Sequence, residues 1–175
     1  MSFLLLTFLT GPRAMKVVLG FSCGYRNKEE PGLSNEAMAR TIQHLNPDVV
    51  SVQIQIGLAL RKLGIVPNHE VSQHRKPNRH YVDTEEVARQ MLVFLSEQGL
   101  QNETVLVVAH PLHMPRCINV FRKLSIQSTI HGIYAIVPCD SQSAHFWTRA
   151  PFLIRAHEIL GFPIFLLRGY YNTTA

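Results

Sequence analysis

Shortages say more about this sequence of 175 residues than surpluses do. Its three cysteines, Cys23, Cys117 and Cys139, are widely spaced and form no CxxC pair, which argues against an oxidised secreted scaffold and suits a reducing compartment. Long apolar runs are missing too. Residues 3–9 and 162–167 are apolar but fall well short of the roughly 20 residues that cross a bilayer. The first of these runs also lacks the positively charged start of a secretion signal and is cut by Gly11 and Pro12. No integral membrane segment is therefore expected, and a cytoplasmic protein is, with peripheral contact to a membrane surface as the other possibility. Acidic, Gly/Ser-rich and Gln-rich tracts are absent, so nothing in the composition asks for disorder. Nor is there a GxSxG nucleophile elbow, a phosphate loop ending in Gly-Lys-Ser/Thr or a GxGxxG fingerprint.

What is present is an ordinary globular composition, 46% hydrophobic and 17% charged, with a net charge of +5 and nine histidines. A chain of this length buries enough surface to need no metal or disulfide staple. The positive balance favours an anionic ligand or surface.

Apolar patterning alternates between strand-like and helix-like stretches. Residues 15–20 read as a buried strand leaving through Gly20, and residues 21–33, with two glycines and Pro31, as the loop beyond it. Ser34 is a plausible N-cap for a helix stopped before Pro47. Strands are expected over residues 49–53 and 70–73, with a short helix over 55–63 between them. Residues 74–80 form a basic loop, after which Asp83 and Glu86 have the spacing of a capping box for a helix ended by Gly99. Residues 104–109 are a nearly continuous apolar strand, as in a parallel sheet covered on both faces. A helix opening near Pro115, a strand over 130–137 and a helix over 150–160 complete the pattern, and residues 162–167 are either a last strand or an extension of that helix. The expected fold is an α/β, three-layer Rossmann-like domain over residues 15–169, with a predominantly parallel sheet of about five strands. Residues 1–14 are left as an extra strand or tail, and 170–175 as a C-terminal tail.

Open sheets of this kind receive ligands beyond the carboxyl ends of their strands. Three loops are candidates there: residues 20–33, containing Ser22; residues 74–80; and residues 110–116. In the last, His113 and Arg116 stand at a helix opening, where the helix dipole disfavours a cation unless an anion completes its surroundings. Arg116 has the two-pronged donor geometry of a phosphate or carboxylate clamp, and the structural alternative is a tie to Asp83 or Glu86. His113 is the candidate catalytic acid or base, or a neutral donor that orients Arg116. His110 has a weaker claim to the ligand. Arg40 and Arg75 are possible helpers, and Glu86 is placed to orient Arg116 or to stabilise the helix entrance. His110, His113, Asp140, His145 and Glu86 lack the compact spacing of a zinc set, so no metal is assigned.

The run from Val105 to Arg116, followed by Phe121-Arg122-Lys123-Leu124, resembles the bacterial domain of unknown function typified by the SanA, ElyC and YdcF proteins. In that family an apolar strand leads to His-Met-x-Arg at a helix opening, which His113, Met114 and Arg116 match. Val17-Val18-Leu19-Gly20, Ser34, Arg40, the Thr84, Glu86 and Ala88 pattern and Leu167-Arg168-Gly169 are similar too, so the likeness spans residues 15–169. The chain departs from the family in having His110 where a small hydroxyl residue is usual, Val87 in place of Asn, and Ser51-Val52-Gln53 where a Ser-Gly-Gly turn is expected. The resemblance implies an α/β ligand-binding fold and a link to envelope processes.

Together these features lead to the expectation of a small-molecule site for an anionic or nucleotide-like ligand, open to acid/base chemistry. The competing expectation is a noncatalytic interaction protein whose basic loop, joined to Arg61 and Lys62 in a broad positive face, docks on an acidic partner, nucleic acid or membrane surface. Nucleic acid is disfavoured, since only Tyr81 is at hand beside that loop for stacking.

Overall fold

The computed structural model describes residues 15–75, 82–124 and 128–167. Their order is β1 (Val17–Gly20), α1 (Leu33–Leu45), β2 (Val49–Gln53), α2 (Ile54–Lys62), β3 (His69–Val71), α3 (Thr84–Glu97), β4 (Val105–Val108), α4 (Met114–Lys123), β5 (Ile130–Ile133), a 3-10 turn (Phe146–Thr148) and α5 (Pro151–Leu167). The strands form one five-stranded sheet, all parallel, in the order β3-β2-β1-β4-β5. Val17 pairs with Val49 on one side and Val105 on the other, which makes β1 the centre of the sheet.

Both faces of the sheet are covered, and strand alternation divides the core accordingly. Val17, Leu19, Phe21, Val105 and Val107 pack with Met91, Leu95 and Phe121 of α3 and α4. Val18, Val50, Val52 and Val108 pack with Met38, Ile42, Ile56 and Leu60 of α1 and α2. The chain winds outward from β1 to β3 and then crosses to β4 on the opposite flank. That reversal leaves a crevice beyond the carboxyl ends of β1 and β4, where the loops of the two halves part.

Several local expectations take a different form. Ser34 is not the N-cap of α1; it lies buried in the first turn and donates its hydroxyl to the Pro138 carbonyl at 2.6 Å. Gly32 holds the cap position at φ 82, and Asp140, distant in sequence, accepts from Leu33 N at 2.9 Å. A side chain at Gly32 would meet that carboxylate, since a Cβ there falls 2.7 Å from Asp140 Oδ2. Half of the capping box forms: Asp83 accepts from Glu86 N at 2.9 Å, but the Glu86 side chain is engaged elsewhere. β5 stops at Ile133, short of the strand expected to Val137, and the chain leaves the sheet with Tyr134 and Ile136 exposed. The apolar residues 162–167 extend α5, which passes through Pro163. The readings of residues 1–14 and 170–175, and of the basic loop from residue 76 onward, lie outside the described residues.

Candidate functional site

A cleft of about 470 Å³ opens at the crevice between the two halves of the sheet. The loop after β1 supplies Ser22, Cys23, Tyr25 and Lys28, the junction of β2 with α2 supplies Gln53 to Gln55, and the opening of α4 supplies His113 and Arg116. The far wall is built by the 3-10 turn and α5, through Trp147, Ile154, His157 and Glu158.

The segment from His110 to His113 is a tight turn: the His110 carbonyl accepts from His113 N at 2.8 Å and Met114 N at 3.0 Å. That turn satisfies amides at the start of α4 without a side-chain cap and sets His113 at the N-cap position. Three residues on, Arg116 lies on the same side of the helix. Its Nε and Nη2 stand 3.2 and 3.0 Å from His113 Nδ1, and Nη2 also reaches Glu158 Oε1 at 3.1 Å. His113 Nδ1 is itself 3.3 Å from that carboxylate oxygen. One imidazole nitrogen therefore faces both a permanent donor and a permanent acceptor.

Electrostatics decides between them. Burial, and then the Arg116 charge, push the His113 pKa down to about 4, so the ring is neutral at pH 7. A guanidinium cannot give up its protons, so Nδ1 of the neutral ring serves as the acceptor and the ring proton resides on Nε2. Nε2 makes no hydrogen bond among the described residues, although His113 is only 8% exposed. Burial alone would raise Glu158, but the neighbouring His113, His157 and Arg116 bring it down to about 2. Because His113 is neutral, Arg116 is the partner that holds this carboxylate ionised.

The other expected residues divide clearly. Ser22 lies in the cleft wall, its amide and hydroxyl both donating to Gln53 Oε1 at 2.8 and 2.9 Å. Gln53 thus ties the β1 and β2 loops together. His110 is buried outside the cleft lining, with Nδ1 accepting from Leu112 N at 3.2 Å and Nε2 3.8 Å from Cys139 Sγ. Burial lowers its pKa and keeps it a neutral fixture of the turn. Glu86 does not orient Arg116. It accepts from Arg75 N, Nε and Nη2 and from Gln90 Nε2, so Arg75 and Glu86 hold each other away from the cleft lining. Arg40 is exposed on α1 in a separate depression beside His44, Ile136 and Pro138. Arg116 is tied to neither Asp83 nor Glu86 in any described contact; its carboxylate partner is Glu158.

Glu158 and the aromatic wall were not anticipated. Trp147 is stacked between His145, at 4.7 Å, and His157, at 5.3 Å, and Tyr25 meets His145 edge-on at 4.9 Å. The available signal was Glu158 itself, the only acid between residues 151 and 167, a stretch apolar apart from Arg155 and His157. Such a residue is retained on an apolar helix when it has a buried partner.

Chemically the cleft offers a neutral Nε2–H, an ion pair at its floor, Lys28 at its rim and the uncapped start of α2. Gln53 gives that helix no side-chain cap, and Ile54 and Gln55 of its first turn line the cleft. Cys23 also lines the cleft, but burial pushes its thiol up to about 12, which leaves it no thiolate for nucleophilic attack near neutral pH. Among the described residues no cluster of His, Cys, Asp and Glu is arranged to hold a metal ion, and no helix is long and apolar enough to cross a membrane. No family model matches the chain, and no curated protein matches it.

Proposed function

We propose that the cleft binds a small anionic molecule of nucleotide-like build, with His113 Nε2–H as the donor that fixes its polar group. The observation that carries this reading is His113 itself: a buried ring in the cleft wall, one nitrogen engaged by Arg116 and the other without a partner among the described residues. Buried donors are nearly always paired, so an unpaired one beside a cleft is best satisfied by what enters it. Lys28 and the start of α2, which has no side-chain cap, suit a phosphate or carboxylate, while Tyr25 and the edge of Trp147 add apolar wall. Arg116 contributes less charge than a lone guanidinium would, because Glu158 already neutralises it.

Acid/base chemistry is an extension of the same site. If a substrate displaces Arg116 from Nδ1, the ring can change tautomer so that Nδ1–H donates to the Glu158 carboxylate 3.3 Å away, which leaves the Nε2 lone pair free to accept a proton from the substrate. The likeness to the SanA, ElyC and YdcF family rests on the same residues, His113, Met114 and Arg116, and is part of this proposal.

The interaction-protein alternative needs an unmatched positive face around Arg61 and Lys62. Arg61 pairs with Glu70, Lys62 lies 3.5 Å from Glu36, and Arg75 is held by Glu86, which favours the cleft reading.

Calorimetric titration with AMP, ADP and inorganic pyrophosphate tests the proposal, with the single tryptophan as a second probe. Saturable binding of at least one probe is expected, weakened about tenfold in His113→Ala by loss of one hydrogen bond. Retained binding by His113→Gln with lost turnover would assign proton transfer to the ring. Failure of all the probes to bind, or equal affinity for His113→Ala, would overturn the proposal.

A further inference from the structure

α5 has two unlike faces. One turns Ile154, His157 and Glu158 into the cleft. On the opposite side Phe152, Ile159, Leu160 and Leu167 are 69%, 70%, 78% and 90% exposed, and exposed Ala156 and Pro163 lie among them. Phe152, Ala156, Ile159 and Pro163 recur at intervals of four, three and four residues, the spacing of a helix–helix seam rather than a scatter of surface apolar residues.

We propose that this outward face of α5 pairs with the same face of a second copy of the chain, forming a two-fold homodimer whose interface braces the helix that carries Glu158 into the cleft.

The area is the first argument. Large apolar side chains present roughly 150–200 Å² each, so the four on this face, at their exposures, offer on the order of 500 Å² per protomer, toward the low end of what specific interfaces bury. A monomer seldom leaves so large a contiguous apolar patch open to water. The helix is also about 25 Å long at 1.5 Å per residue, enough for a continuous seam. Charge is the second argument. Arg155 is the only Lys or Arg between residues 151 and 167, so the face lacks the basic cluster by which an interfacial helix holds anionic lipid. A self-complementary apolar surface is what a two-fold interface requires. Position is the third. Among the described residues α5 meets the rest of the fold mainly at the 3-10 turn beside the cleft, and from Ile159 onward it turns several large apolar side chains to solvent. Pairing would hold this helix, and with it Glu158, in place.

Sedimentation equilibrium on the full chain across a dilution series tests this, with circular dichroism to check folding. The wild type is expected to run as a dimer. Ile159→Glu and Leu160→Glu, both at exposed positions, should raise the dimer dissociation constant about a hundredfold by burying unpaired carboxylates, with the helical signal unchanged. Leu160→Gln, milder and uncharged, decides the matter if a charged variant loses its fold. A wild type that is monomeric throughout the series overturns the proposal, as does a dimer unaffected by these substitutions. So does a monomer that cosediments with phosphatidylcholine/phosphatidylglycerol vesicles, which would assign the face to lipid.

Discussion

Two carboxylates, the buried Asp140 within the loop that joins β5 to α5 and the half-buried Glu158 on α5 beyond it, are used in opposite ways. Asp140 is 2% exposed and saturated: Oδ2 accepts from Arg26 Nε and Leu33 N, and Oδ1 accepts from Gln142 N. Burial by itself would raise its pKa, but these amides and the Arg26 hydrogen bond lower it below the usual carboxylate value. The result is a closed knot that caps α1 from a distance and anchors the loop. Glu158 instead shares a cleft wall with Arg116 and His113, where two partners compete for one imidazole nitrogen and the other nitrogen is left over. Saturated polar groups hold a fold together, whereas an incompletely paired set facing a cavity has bonding capacity left for a ligand.

The contrast breaks most visibly at Asp140. Asp140→Ala strips Leu33 N, Gln142 N and Arg26 of their acceptor, and a loss of about 4 kcal/mol is expected in urea unfolding. A loss below about 1 kcal/mol would show that the knot is dispensable.

A smaller effect is expected from pH. His113 has a folded pKa near 4 against an unfolded value of 6.5, so the unfolded chain binds more protons between those limits. Its contribution is therefore complete above pH 6.5 and is lost as pH falls toward 4, by about 3 kcal/mol at most. Glu86 and Glu158, both lowered to about 2, lose theirs in the next window, from pH 4.5 down to 2. Unfolding measured against pH should show a shallower slope in the upper window in His113→Gln, where His69, His110 and His145, also lowered by burial, still contribute, while the lower window persists. A wild type with no slope between pH 6.5 and 4 would contradict a neutral buried ring.

Glu158→Gln sharpens the comparison from the cleft side. Removing the carboxylate leaves Arg116 uncompensated, with an expected cost of about 2 kcal/mol because the cleft admits water. The same change frees the guanidinium, so pyrophosphate affinity should rise about tenfold where Asp140→Ala leaves it unchanged. The His113 pKa should fall further, read by NMR titration of the ring, since the Glu158 carboxylate is what raises it.

The least effect is expected at Arg40, exposed in its separate depression. Arg40→Ala should change stability by less than about 0.5 kcal/mol and leave ligand titrations superimposable on wild type. A clear loss of affinity would place part of the site outside the cleft.

Much of the scaffold was legible in the residues. Continuous branched runs at residues 17–20, 49–53 and 105–108 mark strands buried on both faces. Asp83 ahead of α3 and Pro115 in the first turn of α4 are local signals that hold irrespective of packing. Local rules failed at Ser34 and at Glu86 for the same reason. A short-range hydrogen bond is worth about 1 kcal/mol, and a charged partner from elsewhere in the fold outcompetes it. Asp140 did so at the start of α1, and Arg75 did so at Glu86.

The amino-acid order by itself determined a predominantly parallel sheet of about five strands and the placement of His113 and Arg116 at a helix opening beyond the carboxyl end of a strand. Both follow from periodicity and from residues close together in the chain. Only the tertiary structure decided which carboxylate meets Arg116, that His110 is a fixture of the turn, and that Trp147, His157 and Glu158 complete the wall. The decisive pairings, Arg116 with Glu158 and His110 with Cys139, join residues more than 25 positions apart, and they are settled by which groups meet once the helices have packed.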